Sequence, residues 1–205
     1  MVDGKEGLAQ RIVMPFFQRR VPSRDEVGRP VFVTWTLAAG PRQNPRWPVD
    51  EVVSGEEFQS ADRLLDEARR GPTPLRDHEM AAMVERTLHA YARAKAQLEL
   101  LAYVVMPNHL HMLLIPLVPL SELTVELRDR MAKRANELLD LQGAPLWCPR
   151  RYEHLVNGPL ELEQVRKYIE QNPVRAGLAC TPQDYRYSSA RERLLVHPFQ
   201  AAAAS

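Results

Sequence analysis

Cysteine, lysine and long apolar runs are scarce in this chain of 205 residues. Two cysteines, Cys148 and Cys180, cannot build a disulfide framework. That excludes a stapled secreted scaffold and points to a reducing, cytoplasmic setting. No stretch reaches the roughly 18 apolar residues that span a bilayer, so no membrane partner is expected. The opening MVDGKEGLAQRIVMPFFQRR breaks its apolar residues with charges, unlike a signal peptide. A glycine-rich phosphate loop of the Walker or Rossmann kind is missing, and so is the HExxH of a zinc protease helix. Net charge is only +1, so total charge says nothing about nucleic acid. The kind of cation says more: four lysines leave 23 arginines among the 27 basic residues. Arginine forks phosphate and stacks on bases better than lysine does, although a compositional bias would produce the same excess.

What remains is ordinary for a globular protein, 45% hydrophobic and 26% charged, at a length that suits one domain. Residues 1–29 read as a polar N-terminal extension, 30–190 as the domain, and 191–205, ending in AAAAS, as a frayed tail. PVFVTWTL at 30–37 is rich in β-branched and aromatic residues and predicts a first strand. The span 38–76 reads as a long proline- and glycine-rich loop, with room for a short helix from about Phe58 to Arg70. Met80, Val84, Leu88 and Tyr91 mark the buried face of a helix over 77–97. LAYVVM and HLHMLLIP flank the two-residue break Pro107-Asn108 and predict a β-hairpin. Leu123, Leu127, Met131 and Leu138 space out a further helix, with Arg128, Arg130, Lys133 and Arg134 mostly off its apolar stripe. APLWCPRRYEHLVNG reads as irregular. A last helix, capped by Asn157 or Gly158, should end before Pro173, because the residue preceding a proline avoids the α region. Strand, helix, hairpin, helix, irregular segment, helix is the order of an α+β domain, an antiparallel sheet with helices packed on one face.

The sharpest local feature is His109-Leu110-His111. Residues i and i+2 of a strand share a face, with Cβ atoms roughly 6–7 Å apart, so the two imidazoles can hold one divalent cation while Leu110 faces the core. Position 113 is Leu113, so the three-histidine pattern of a nucleotide hydrolase is not present. Two neutral imidazoles leave the metal short of ligands, and a further one must come from elsewhere. The last helix carries LEQVRKYIEQNPVRAGL. Leu162, Val165 and Ile169 form its buried stripe, Tyr168 lies at the stripe's edge, and Asn172 stacks one turn above Tyr168.

YVVMPNHLHMLLIP followed by YIEQNPVRAGL resembles the single-tyrosine HUH transposases, and PLWCPRRYEHLV and DYRYSSA resemble the REP-associated branch of that family. The resemblance covers about 99–190, plus the strand at 31–37. PVFVTWTL stands where that branch has Gly-Thr-Trp-Tyr, and Cys148 where it commonly has glutamine. The resemblance implies the ferredoxin-like sheet of the HUH fold. It implies that Tyr168 attacks a single-stranded DNA phosphate next to a hairpin, giving a 5′-phosphotyrosine. It makes His109, His111 and Asn172 the ligands of Mg²⁺ or Mn²⁺, in an enzyme working as a monomer or as a homodimer that shares tyrosines. Arg128, Arg130, Lys133, Arg134, Arg150 and Arg151 are the candidate DNA-binding residues, with Trp47, beside Arg46, a candidate stacking platform. Two other readings fit the same residues: a metal-dependent hydrolase without a covalent intermediate, and a non-catalytic DNA-binding protein that keeps the fold.

Overall fold

The computed structural model describes residues 19–38, 55–66, 73–94 and 96–192. Trp47 and Arg46, most of the N-terminal extension and the AAAAS tail lie outside them. The elements run β1 (Val31–Leu37), α1 (Gly55–Asp66), α2 (His78–His89), β2 (Leu98–Val105), β3 (His109–Pro116), α3 (Leu120–Leu139), β4 (Trp147–Leu155) and α4 (Gly158–Arg175). The four strands form one antiparallel sheet in the order β2-β3-β1-β4. Among the described residues no helix is long and apolar enough to cross a membrane, and both cysteines are free thiols.

Strand alternation divides the core in two. Val31, Val33, Trp35, Leu110, Met112 and Leu114 face α2 and α3, where they meet Val84, Leu88, Leu123, Leu127 and Met131. These are the helices expected on one face of the α+β sheet. The opposite face is covered as well. Phe32, Leu113 and Tyr152 pack there under Phe58, Ala61 and Leu65 of α1 and Leu162, Val165, Tyr168 and Ile169 of α4.

Several details depart from the sequence expectations, each for a local reason. WCPRRYEHL, expected to be irregular, is β4. Pro149 hid it, since proline is tolerated only on an edge strand or at a bulge, and β4 is both an edge and bulged opposite Trp35 and Leu37. Arg128, half-buried on α3, donates to the carbonyls of Trp147 and Cys148 at this bulge, so its guanidinium closes the ladder. Leu138 is exposed rather than buried; Ala135 fills the inward position one turn earlier. α4 runs through Pro173 to Arg175. Pro173 is buried within it, and the turn closes beyond, with Ala176 N–H on the Asn172 carbonyl and Leu178 N–H on that of Pro173. Asn157 does cap α4 by position, but its side chain does not reach the helix; the Glu161 carboxylate instead accepts from the Asn157 backbone N–H at 2.6 Å.

Helix α1 lies inside the span read as a long loop and overlaps the helix expected there from Phe58 to Asp66; residues 67–70 lie outside the described ones. Its anchor is Phe58, fully buried with its ring centroid 4.3 Å from Tyr152, 5.3 Å from Phe32 and 5.9 Å from Tyr168. Truncating Phe58 to alanine should cost about 3–5 kcal/mol, by lost burial and the cavity left behind. A urea-unfolding midpoint that stayed put would show α1 to be a bystander.

Candidate functional site

Because β3 starts immediately after the hairpin turn, its first and third residues fall on the α1/α4 face of the sheet. They are His109 and His111, both with no exposure. Met106 N–H bonds the His109 carbonyl and Val105 pairs with Leu110, so the loop is the two residues Pro107-Asn108. Each imidazole is held through its Nδ1. The His111 ring meets Thr34 Oγ1 at 2.8 Å across the β1–β3 pairing, and the His109 ring meets Asn108 Oδ1 at 2.7 Å. Asn108 can only accept through Oδ1, so His109 carries its proton on Nδ1 and turns the Nε2 lone pair inward. The Thr34 hydroxyl can accept or donate, so His111 can adopt the same tautomer. This is how histidine ligands are oriented around metals.

Three elements converge on those Nε2 atoms. From α4, Tyr168 and Asn172 project one helical turn apart, Tyr168 with 2% exposure and Asn172 with none. From α1 comes Asp62, also fully buried. Asp62 Oδ1 lies 3.1 Å from His111 Nε2 and 4.0 Å from His109 Nε2. Its other oxygen, Oδ2, accepts from the Tyr168 hydroxyl and, at 3.1 Å, from Asn172 Nδ2. Asn172 Nδ2 is also 3.1 Å from His111 Nε2. Asp66, one turn along α1, places Oδ1 3.9 Å from His109 Nε2. Arg175, one turn beyond Asn172, stacks its guanidinium 3.8 Å from the centre of the Tyr168 ring.

The electrostatics follow from burial. Desolvation would raise the Asp62 carboxyl, but the imidazoles of His111 and His109 and the Tyr168 hydroxyl hold it below the ordinary carboxylate range, so it is charged. Asp66, buried beside that charge, is pushed up to about 8 despite Arg175. Burial, then His111, brings His109 down to about 3, which makes it a neutral imidazole at physiological pH, the form that binds metal. Burial and then the Asp62 charge raise the Tyr168 phenol well above its usual value.

Among the described residues four buried atoms here lack a hydrogen-bond partner: Asp62 Oδ1, Asp66 Oδ1, His109 Nε2 and Asn172 Oδ1. Buried lone pairs without donors are costly, and four in one cluster fit a cation. Asp62, His109 and His111 bring ligand atoms within 4.8 Å of one another. The residues present therefore suit a divalent metal, two nitrogens and a carboxylate, with the Asn172 amide oxygen one side-chain rotation away.

Residues 73–172, which contain the histidine pair, Tyr168 and Asn172, match the family model described as "Transposase IS200 like". That segment is similar to the IS200-like transposase family. Asp62, Asp66, Thr34 and Arg175 lie outside the matched segment. In three dimensions the chain is similar to a solved structure described as a REP-associated tyrosine transposase bound to a REP hairpin, at 17% identity and a TM-score of 0.56. The likeness covers 91% of this chain and 93% of that one. It bears out the α+β antiparallel fold. Among curated proteins no sequence matches.

The other sequence candidates are not brought to this cluster. α3 covers the opposite face of the sheet, so Arg130, Lys133 and Arg134 are exposed there. Arg130 and Arg134 line a cavity of about 420 Å³ between α2 and α3, with Arg86 and Glu137. Arg128 is committed to the β4 bulge and lies 5.6 Å from the Trp35 ring. Arg150 is exposed on β4, and Arg151 pairs with Glu153. Tyr152 packs on Phe58, and its hydroxyl makes no hydrogen bond among the described residues, unlike that of Tyr168. Sequence reasoning missed Asp62 and Asp66, although a signal existed. Phe58, Ala61 and Leu65 define the buried stripe of α1, and Asp62 falls on it, a charge where a helix should be apolar.

Proposed function

We propose that the protein is a metal-dependent single-stranded DNA endonuclease and strand transferase of the transposase type, which cuts by tyrosine attack at hairpin-associated sites. One observation carries this reading. The hydroxyl of Tyr168, the carboxylate of Asp62 and two preoriented imidazoles meet in one buried cluster, four of whose atoms lack a hydrogen-bond partner among the described residues.

Each residue then has a task. The Tyr168 oxygen attacks phosphorus; the bond to it forms as the bond from phosphorus to the 3′ oxygen breaks, leaving a 5′-phosphotyrosine and a 3′-hydroxyl. The phenol already donates to Asp62 Oδ2, so that carboxylate is placed to receive the proton. Asp62 thereby splits its work: Oδ2 serves the tyrosine while Oδ1 faces the imidazoles. His109, His111 and Asp62, with Asn172, would hold Mg²⁺ or Mn²⁺. Such a cation, when bound, polarises the scissile phosphate and offsets its charge. The phosphoester energy is kept in the adduct, so rejoining needs no nucleotide cofactor. Exposed Arg130, Lys133, Arg134 and Arg150 would grip the DNA backbone away from the chemistry.

The test is incubation with single-stranded hairpin DNA and Mn²⁺, followed by a denaturing gel. A protein–DNA adduct supports the reading. Cut DNA without an adduct would indicate a hydrolase, and binding without cutting a non-catalytic DNA-binding protein. The basic surface has its own test. Hairpin DNA with single-stranded flanks should bind more tightly than a matched duplex, because unstacking a base costs a few kcal/mol. Affinity should fall with salt, and the double change Arg130→Ala and Arg134→Ala should flatten the log–log slope by about 1.4–1.8. Fluorescence anisotropy reads both; equal affinity for hairpin and duplex would count against the proposal.

A further inference from the structure

Arg175 sits three residues beyond Asn172, at the last position of α4. A cation there has a bland explanation, because the end of a helix favours positive charge. Its contacts go further. Its guanidinium lies over the face of the Tyr168 ring, Nη1 donates to the Tyr168 carbonyl at 3.0 Å, and Nη2 is 3.7 Å from Asp62 Oδ2, the oxygen that accepts from the tyrosine hydroxyl. Of the five N–H donors of this side chain, that carbonyl is the one hydrogen-bond acceptor among the described residues. The Arg175 side chain is 30% exposed, whereas that of Asp62 is 1%. Arg175 is therefore the charged group of the cluster that solvent, and hence a DNA strand, can touch. The arginines of α3 sit behind the sheet and cannot substitute for it.

Resting on the transposase reading above, we propose that Arg175 is a catalytic residue whose free N–H donors bind a non-bridging oxygen of the scissile phosphate. A phosphodiester carries one negative charge, and a second develops as the Tyr168 oxygen adds and the 3′ oxygen departs. The phenolic proton leaves toward Asp62, and the 3′ oxygen takes up a proton as it is released. A planar fork fixed over the tyrosine ring, by a carbonyl bond and by stacking, meets that charge without reorganising. Its loose ion pair with Asp62 is what the phosphate would replace.

The experiment compares wild type with Arg175→Gln and Arg175→Lys in the full chain with Mn²⁺. The first probe is a hairpin oligonucleotide with randomised single-stranded flanks; sequencing the adduct locates the linkage. The second carries an uncharged methylphosphonate at that linkage. On the phosphodiester, Arg175→Gln should slow adduct formation by about 100-fold or more, with the lysine variant in between and hairpin affinity within a few-fold of wild type. On the methylphosphonate, wild type and Arg175→Gln should react within a few-fold of each other, because the standing negative charge of the phosphodiester, which Arg175 offsets as the tyrosine oxygen approaches, is gone. Equal rates on the phosphodiester would overturn the proposal alone. An equal loss on both probes would also overturn it, making Arg175 a support for the helix end. No adduct from the wild type would overturn the transposase reading together with it.

Discussion

Tyr168→Phe should abolish the protein–DNA adduct, a loss on the order of 10³-fold or more, while hairpin binding stays within a few-fold. Only the hydroxyl forms the new bond. The ring itself packs against Phe58 and Phe32 and under Arg175, and phenylalanine keeps that shape. What the variant loses structurally is one donor to Asp62 Oδ2, which retains Asn172. That loss should cost about 1–3 kcal/mol, because a buried acceptor gives up a partner. Mn²⁺ binding should survive, since no ligand atom is removed. A normal adduct yield from Tyr168→Phe would move the nucleophile elsewhere and dissolve the proposed mechanism. Buried Tyr152, whose phenol is raised by desolvation, would be the residue to examine next.

The double change His109→Ala and His111→Ala should have an effect of similar size through a different route. It removes both nitrogens from one strand face and leaves Asp62 without the two rings that keep it charged. Mn²⁺ affinity measured by titration calorimetry should fall by more than about 100-fold, and adduct formation with it. The fold should persist. Leu110 and Met112, the residues of this strand that knit the sheet to α2 and α3, are untouched. Unchanged Mn²⁺ binding would sink the metal site, whatever happened to cleavage.

These two predictions concern residues that the sequence made legible: a histidine pair at strand spacing, and a tyrosine and asparagine one helical turn apart. Both patterns are short-range, and backbone periodicity alone puts each pair on one face. The hairpin and the β1 strand were legible for the same reason. What was not legible is long-range. Asp62 reaches His111 only because α1 folds back under α4, and no local pattern says which side of a sheet an inserted helix will cover. Even so, the stripe of Phe58, Ala61 and Leu65 carries an aspartate that solvent should have claimed. β4 was hidden by Pro149, whose cost vanishes at a bulge sealed by Arg128. α4 outran its expected end because the preference of a residue before proline is statistical, and Asn172 is fixed by its hydrogen bond to Asp62.

Both margins of the sheet are spoken for. Along β2, Val105 N–H bonds the Tyr187 carbonyl and Tyr103 N–H bonds Ser189 Oγ; along β4, Leu155 N–H bonds the Arg20 carbonyl and Arg19 reaches the Glu153 carbonyl. A second molecule pairing with the sheet at these residues would first have to evict one of these segments. Tyr168, Asp62 and the two histidines moreover come from a single chain. The cluster's contacts therefore close within one fold, between β3, α1 and α4 of the same molecule.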